Sequence, residues 1–86
     1  MRVSTDATYM ATRAATFALY EEERDSSLKR KERGEYKEGE FERVRDAQRA
    51  EYVAAMTRAY AEFQAREARQ VAVTLAQAAS LAADKT

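Results

Sequence analysis

The side chains that carry most enzymatic chemistry are missing from this chain. It has no His and no Cys, so acid–base or nucleophilic work would fall to carboxylates, lysines, tyrosines and hydroxyls. Ser26-Ser27-Leu28-Lys29 repeats the Ser-x-x-Lys spacing in which a lysine activates a serine. The companion motifs of that chemistry are absent, and 86 residues are too few for the fold that carries it. Glu21-Glu22-Glu23-Arg24-Asp25 could offer oxygens to a metal ion. Carboxylate sites in helical bundles pair Glu with a His three residues on, and calcium loops set their acids at alternate positions around a Gly. Neither pattern is present, so this run is expected to be a solvated helix face. Gly34 and Gly39 flank only Glu-Tyr-Lys-Glu and make no phosphate-cradling loop. No catalytic, cofactor-binding or metal-ligating residue is expected, and the chain is expected to be non-enzymatic.

Two basic patterns could serve recognition instead. Lys29-Arg30-Lys31-Glu32-Arg33 could meet phosphate, but acids at 21–25 and 35–42 surround it and blunt its field. Arg49, Arg58, Arg66 and Arg69, with Tyr52 and Tyr60, could stack nucleic-acid bases. Glu51, Glu62 and Glu67 interleave with them. Over the whole chain 15 basic residues cancel 15 acidic ones, which leaves no field toward nucleic acid or an anionic membrane. Protein partners are expected, either copies of this chain or a larger assembly, with no small-molecule substrate.

The elements that position these residues are helical. The chain has no Pro and two Gly, far too few for the turns of a sheet protein. Ala is its commonest residue, followed by other strong helix formers. Helix 1 is expected over about 5–33, capped by Ser4, Thr5 or Asp6. Its apolar stripe is Val3, Ala7, Met10, Ala14 and Phe17, spaced as in a coiled-coil seam, with Leu28 resuming it. Asp25-Ser26-Ser27 is a possible earlier break, since these side chains compete for backbone hydrogen bonds. Gly34 suits the residue after a helix end, and Lys29, Arg30, Lys31 and Arg33 complement the dipole there.

Residues 34–39 form the turn. Helix 2 is expected over about 40–83, with an apolar face of Val53, Met56, Tyr60, Phe63, Val71, Leu75, Ala78 and Ala82, broken by Glu67. Glu40–Arg43, Glu42–Arg45, Asp46–Arg49 and Glu62–Arg66 have the spacing of intrahelical ion pairs. Folding back at the turn makes facing residue numbers sum to about 73. Phe17 then meets Met56, Ala14 meets Ala59, Met10 meets Phe63, Leu28 lies near Val44 and Val3 near Val71. The expected architecture is all-α: an elongated, coiled-coil-like antiparallel two-helix hairpin forming one domain, assembled with other chains.

In that register helix 1 runs out opposite about residue 72, and residues 72–86 are expected to be a C-terminal helical extension without a partner in the chain. Residues 70–83 carry no charge at all, and a helix apolar over most of its circumference is normally buried. Val71, Val73, Leu75, Ala78, Ala79, Leu81 and Ala82 are therefore the candidate partner-binding residues. Tyr36 and Phe41 beside the turn could form a second contact point or a local staple. The run is shorter than the ~20 apolar residues needed to span a bilayer, and no signal-peptide core follows Arg2. Residues 1–20 have the Ala, Thr, Ser and Arg tone of an organelle transit peptide, for which an amphipathic helix is the simpler account. The expected setting is the cytoplasm or the inside of a particle.

In outline the Ala-rich hairpin resembles the small secreted WXG-type helical proteins. Their Trp-x-Gly turn is replaced here by Gly34-Glu-Tyr-Lys-Glu-Gly39, so nothing of that family carries over. The function expected is that of a structural or accessory protein binding neighbouring subunits, for example in a virion or a multi-subunit complex. A regulatory protein that lays one helix on a target, such as an inhibitor, and a nucleic-acid-associated protein are the alternatives.

Overall fold

Asp6 starts the first helix as its sequence position allows. Its backbone is extended, and its carboxylate accepts the Tyr9 backbone N–H at 2.7 Å, satisfying one of the donors a helix start leaves open. The computed structural model describes residues 6–84, so Ser4, Thr5 and the Val3–Val71 pairing lie outside the described residues. From Asp6 the chain forms α1 (Ala7–Glu32), turns, and forms α2 (Glu40–Asp84). The result is an all-α antiparallel hairpin, a rod of 76 × 17 × 16 Å.

The turn follows from two glycines. Gly34 has φ +72° and Gly39 φ +78°, in the left-handed region that a Cβ penalises. Around Gly34 the Glu35 N–H donates to Arg30 C=O and the Gly34 N–H to Lys31 C=O, both at 3.0 Å. This is the Schellman closure of a helix end, which satisfies two otherwise orphaned carbonyls. At the start of α2 the Glu40 carboxylate reaches back to the Lys37 N–H at 3.2 Å, and Arg43 N–H donates to Gly39 C=O.

The axial register is close to that expected. Tyr9 lies on Phe63, Tyr20 on Tyr52, and Asp6 reaches Arg66; all three pairs have residue numbers that sum to about 72. The rotation of each helix about its own axis differs from expectation. Tyr9, Thr12, Thr16, Tyr20 and Glu23 are half-buried and Ser27 is 5% exposed, whereas Met10 is 58% and Phe17 40% exposed. Ala7 and Ala14 are exposed as well. α1 is thus turned by one residue, about 100°, from the stripe Ala7, Met10, Ala14, Phe17. α2 is turned likewise: Gln48, Tyr52, Ala55 and Arg66 sit in the seam with Met56 and Phe63, while Val53 and Tyr60 are exposed.

The reason lies in what meets across the seam. Tyr9 stacks on Phe63 and Tyr20 on Tyr52, with ring centroids 4.6 Å apart in both pairs. Aromatic pairs of this kind contribute beyond the area they bury. Ala59, 4% exposed, allows the close approach between them. Ser27 and Gln48 supply the polar partner: the Gln48 amide donates to Ser27 Oγ at 2.7 Å and to the Glu23 carbonyl at 3.3 Å. Asp25-Ser26-Ser27 is therefore no break; the helix runs straight through it, and Ser27 bonds across the hairpin instead of to its own backbone.

Gln48→Ala strands Ser27 Oγ in the seam and is expected to cost about 1–3 kcal/mol. The double change Ser27→Ala with Gln48→Leu removes both polar groups and should lie closer to the unaltered chain. Thermal unfolding followed by circular dichroism checks the order.

Candidate interaction surface

The features singled out among the described residues have definite places on the rod. At the turn, Tyr36 and Phe41 are half-buried and pack on each other with centroids 5.8 Å apart. Arg30 lies over the Tyr36 ring at 4.7 Å and Lys31 over the Phe41 ring at 4.4 Å. Arg30 and Arg33 both pair with Glu35. The basic cluster and the two aromatics thus form one staple that closes the hairpin tip.

At the opposite end of α1 the Asp6 carboxylate takes two bonds from the Arg66 guanidinium, at 2.9 and 3.1 Å. The pairing is bidentate, the strong form of the interaction, and the Asp6 side chain is 15% exposed. It also displaces an expectation: the Arg66 guanidinium hydrogen-bonds Asp6 across the hairpin, and Glu62, one turn back on α2, acts on it only as a nearby charge. Arg45 likewise pairs with its neighbour Asp46. The expected i,i+3 pairs Glu40–Arg43, Glu42–Arg45 and Asp46–Arg49 are not among the ion pairs of the described residues. Glu40 is half-buried and engaged by the Lys37 N–H instead, and the others lie on exposed helix faces, where an ion pair gains little over water.

Among the described residues, nothing of α1 accompanies α2 beyond the Asp6–Arg66 clamp. Residues 67–84 extend it by about 27 Å at 1.5 Å per residue. Val71, Val73, Leu75 and Leu81 are between 50% and 64% exposed, and Ala78, Ala79 and Ala82 are exposed as well. The Thr74 hydroxyl donates to the Gln70 carbonyl at 2.9 Å, so one of the few polar side chains of this stretch is satisfied within the helix. The structure brings the seven candidate residues of the overhang together on one helix; Tyr36 and Phe41 lie at the other end of the rod.

A second exposed apolar region went unrecognised in the sequence, because its members were assigned to the seam. Met10 on α1 and Val53 on α2 are more than half exposed, while Phe17 and Tyr60 tilt against Tyr52 and Tyr9 across the hairpin, with ring centroids 6.2 Å apart, and still leave 40% and 49% of their surface open. A shallow open groove of about 400 Å³ runs there between the helices, lined by Tyr9, Arg13, Tyr52, Val53, Met56 and Tyr60. Arg13 lies over the Tyr9 ring at 5.4 Å. Val53 and Val71 are about five turns apart on α2, so at 3.6 residues per turn they face the same way. Leu75, Ala78 and Ala82 fall within about 40° of the same line. The groove side of the hairpin and the apolar line of the overhang are therefore one continuous surface.

The chain matches no protein-family model, no curated protein and no solved structure. Among the described residues no acidic cluster has the make-up of a metal site, and no helix is long and apolar enough to cross a membrane.

The Asp6–Arg66 clamp and the Glu35 pairing in the tip staple respond to acid in the same direction. The hydrogen bond from Arg66, then that from the Tyr9 N–H, holds the Asp6 carboxyl below its ordinary value. Arg33, then Arg30, does the same for Glu35. A lowered native pKa means that the folded chain binds the proton less readily than the unfolded one, so the stabilisation is full above the ordinary carboxylate value of about 4 and is lost as pH falls through the lowered pKa. Melting temperature is expected to fall between pH 5 and pH 2. Asp6→Asn should lower it at pH 6 and flatten the acid decline, as read by circular dichroism at both ends of that range.

Proposed function

We propose that this chain is a non-enzymatic structural or accessory subunit, one that holds a neighbouring protein in an oligomer or larger particle such as a virion or a multi-subunit complex. The observation that carries this reading is the overhang: a helix without charge over residues 70–83, projecting past the Asp6–Arg66 clamp with its Val and Leu side chains at least half exposed. A helix of this make-up gains free energy by covering its apolar side, at roughly 25 cal/mol per Å². It has no ionised group to desolvate along those fourteen residues. The rest of the molecule suits a spacer, because tip staple, aromatic seam and clamp fix the length and direction of the rod.

A regulatory role, in which the same surface covers a groove on a target protein, uses the same helix-face physics. The two differ in stoichiometry, since a structural subunit is present at a fixed ratio in a particle. A nucleic-acid role finds less support. Arg30, Arg33 and Arg66 are held in ion pairs, and Arg13, Arg24 and Lys31 lie over aromatic rings.

Removing residues 72–86 leaves every described pairing between α1 and α2 in place. In an extract of the source cells, the full chain is expected to migrate at fixed stoichiometry in a high-mass assembly. The shortened chain should migrate at the mass of the free protein. Equal migration of the two would remove the overhang from the account and the accessory reading with it.

A further inference from the structure

We infer that the occupant of this continuous surface is a second copy of the chain, in an antiparallel arrangement in which each overhang lies in the other copy's groove. The inference rests on the reading of the overhang as a docking helix and names its partner. Three observations converge on it. The surface is continuous, from Val53 and Tyr60 on the hairpin to Val71, Leu75, Ala78 and Ala82 on the overhang. Its charges are few, Arg13 at the groove and Glu67 on α2, so a copy of itself meets no like charge along most of it. And a hairpin whose buried residues, among those described, are Ala59 and Ser27 has a groove but little core, which a third helix would complete.

The register follows from geometry. Placing a two-fold axis beside Glu67 sets Ala82 against Val53 of the second copy, Ala78 against Thr57, Leu75 against Tyr60 and Val71 against Gln64. Ala82 and Ala78 then meet larger residues, Leu75 packs on the Tyr60 ring, and Met10 and Phe17 border the incoming helix. Each half of the dimer becomes a three-helix bundle made of one hairpin and the other copy's overhang. Glu67, the one charge on the stripe, falls at the axis, between the two bundles.

Area decides between this arrangement and the simpler one in which two overhangs pair with each other alone. A helix about 27 Å long and 10 Å across, seated to half its circumference in a groove, loses roughly 400 Å² and covers as much on the groove. Two such contacts give about 1,600 Å² in total, the size of a stable specific interface. Overhang-on-overhang pairing makes one contact between two convex surfaces, roughly 500–600 Å², in the range of incidental contacts.

The chain has no Cys, so Ser80→Cys, on the outward side of the overhang, accepts a single nitroxide label per chain, and any dipolar coupling must come from a second copy. With the purified full chain, mutual docking places the two labels about 40 Å apart at 1.5 Å per residue, and light scattering gives twice the chain mass. Leu75→Glu in the same background is expected to abolish the coupling and halve the mass. The hairpin's near-ultraviolet tyrosine signal should persist, because Leu75 lies beyond the Asp6–Arg66 clamp. A label distance under about 20 Å would show overhang-on-overhang or parallel pairing and overturn the inference. A single-chain mass at high concentration would also overturn it, while leaving the accessory role to the migration experiment with a different protein as partner.

Discussion

Two α-helices laid side by side touch along one line, and everything that holds this chain together must be placed on that line. A helix in a larger domain can bury a stripe of ≳ 100°; in an isolated pair the seam is narrower, and side chains on it keep one edge in water. That favours residues with an apolar body and a polar tip. Tyr9, Thr16, Tyr20 and Tyr52 fit the description, and all are half-buried. A pure aliphatic side chain at the same place would gain less from half burial and offer nothing to the water at its edge. The stacked pairs Tyr9–Phe63 and Tyr20–Tyr52 and the guanidinium of Arg24 lying over Tyr20 at 5.7 Å show how the rings use both environments.

Rings on a narrow seam attract, yet they do not by themselves choose among registers, because tyrosines recur along both helices. The polar pairs do that. Ser27 is buried and bonds Gln48, while Asp6 takes both bonds from Arg66. A slip of one heptad carries Gln48 about 10 Å from Ser27 and leaves a buried hydroxyl unpaired, at a cost of about 1–3 kcal/mol. The two polar pairs sit toward opposite ends of the shared length, and the glycine turn ties one end covalently. Register is thus fixed at both ends of the hairpin, and the overhang begins at a defined residue.

Which parts of this were legible in the sequence follows from whether the signal is local. Asp6 as a cap and Gly34 as the residue beyond the helix end act within four residues of themselves, and both are where the residue types place them. Axial register was legible because the turn alone nearly determines it. The rotation of the helices was not. Val3, Ala7, Met10, Ala14 and Phe17 form a heptad-spaced stripe, and so do Tyr9, Thr16, Tyr20, Glu23 and Ser27 one residue over. Counting apolar residues selects the first, while the chain buries the second. The deciding pairs, Asp6 with Arg66 and Ser27 with Gln48, are 60 and 21 positions apart and carry no periodic signal. A search for polar side chains that could meet in the hairpin register would have found them. The overhang was legible because a charge-free run in so charged a chain needs no partner to be seen, whereas the groove beside Val53 and Tyr60 was hidden by assigning its members to the seam.

The rotation also governs the energetics of association. With the expected stripe inside, the hairpin would have presented Tyr, Thr, Ser and Glu to its surroundings, and only the overhang would have been apolar. With the polar-tipped stripe inside, Met10 and Val53 stand outside and Phe17 and Tyr60 keep an exposed edge at the rim of the seam; Val53 and Tyr60 are in line with Val71, Leu75, Ala78 and Ala82 along α2. The surface available to a partner is then a long shallow strip and not a pocket. On such a strip, binding free energy grows with the length of overlap, since each additional turn adds a similar apolar area and the cost of immobilising the partner is met once. A short contact on the overhang alone leaves that cost largely uncovered. A partner matching both segments covers it twice over along the same line, so the position of the Asp6–Arg66 clamp, which divides groove from overhang, determines how long a matching helix must be.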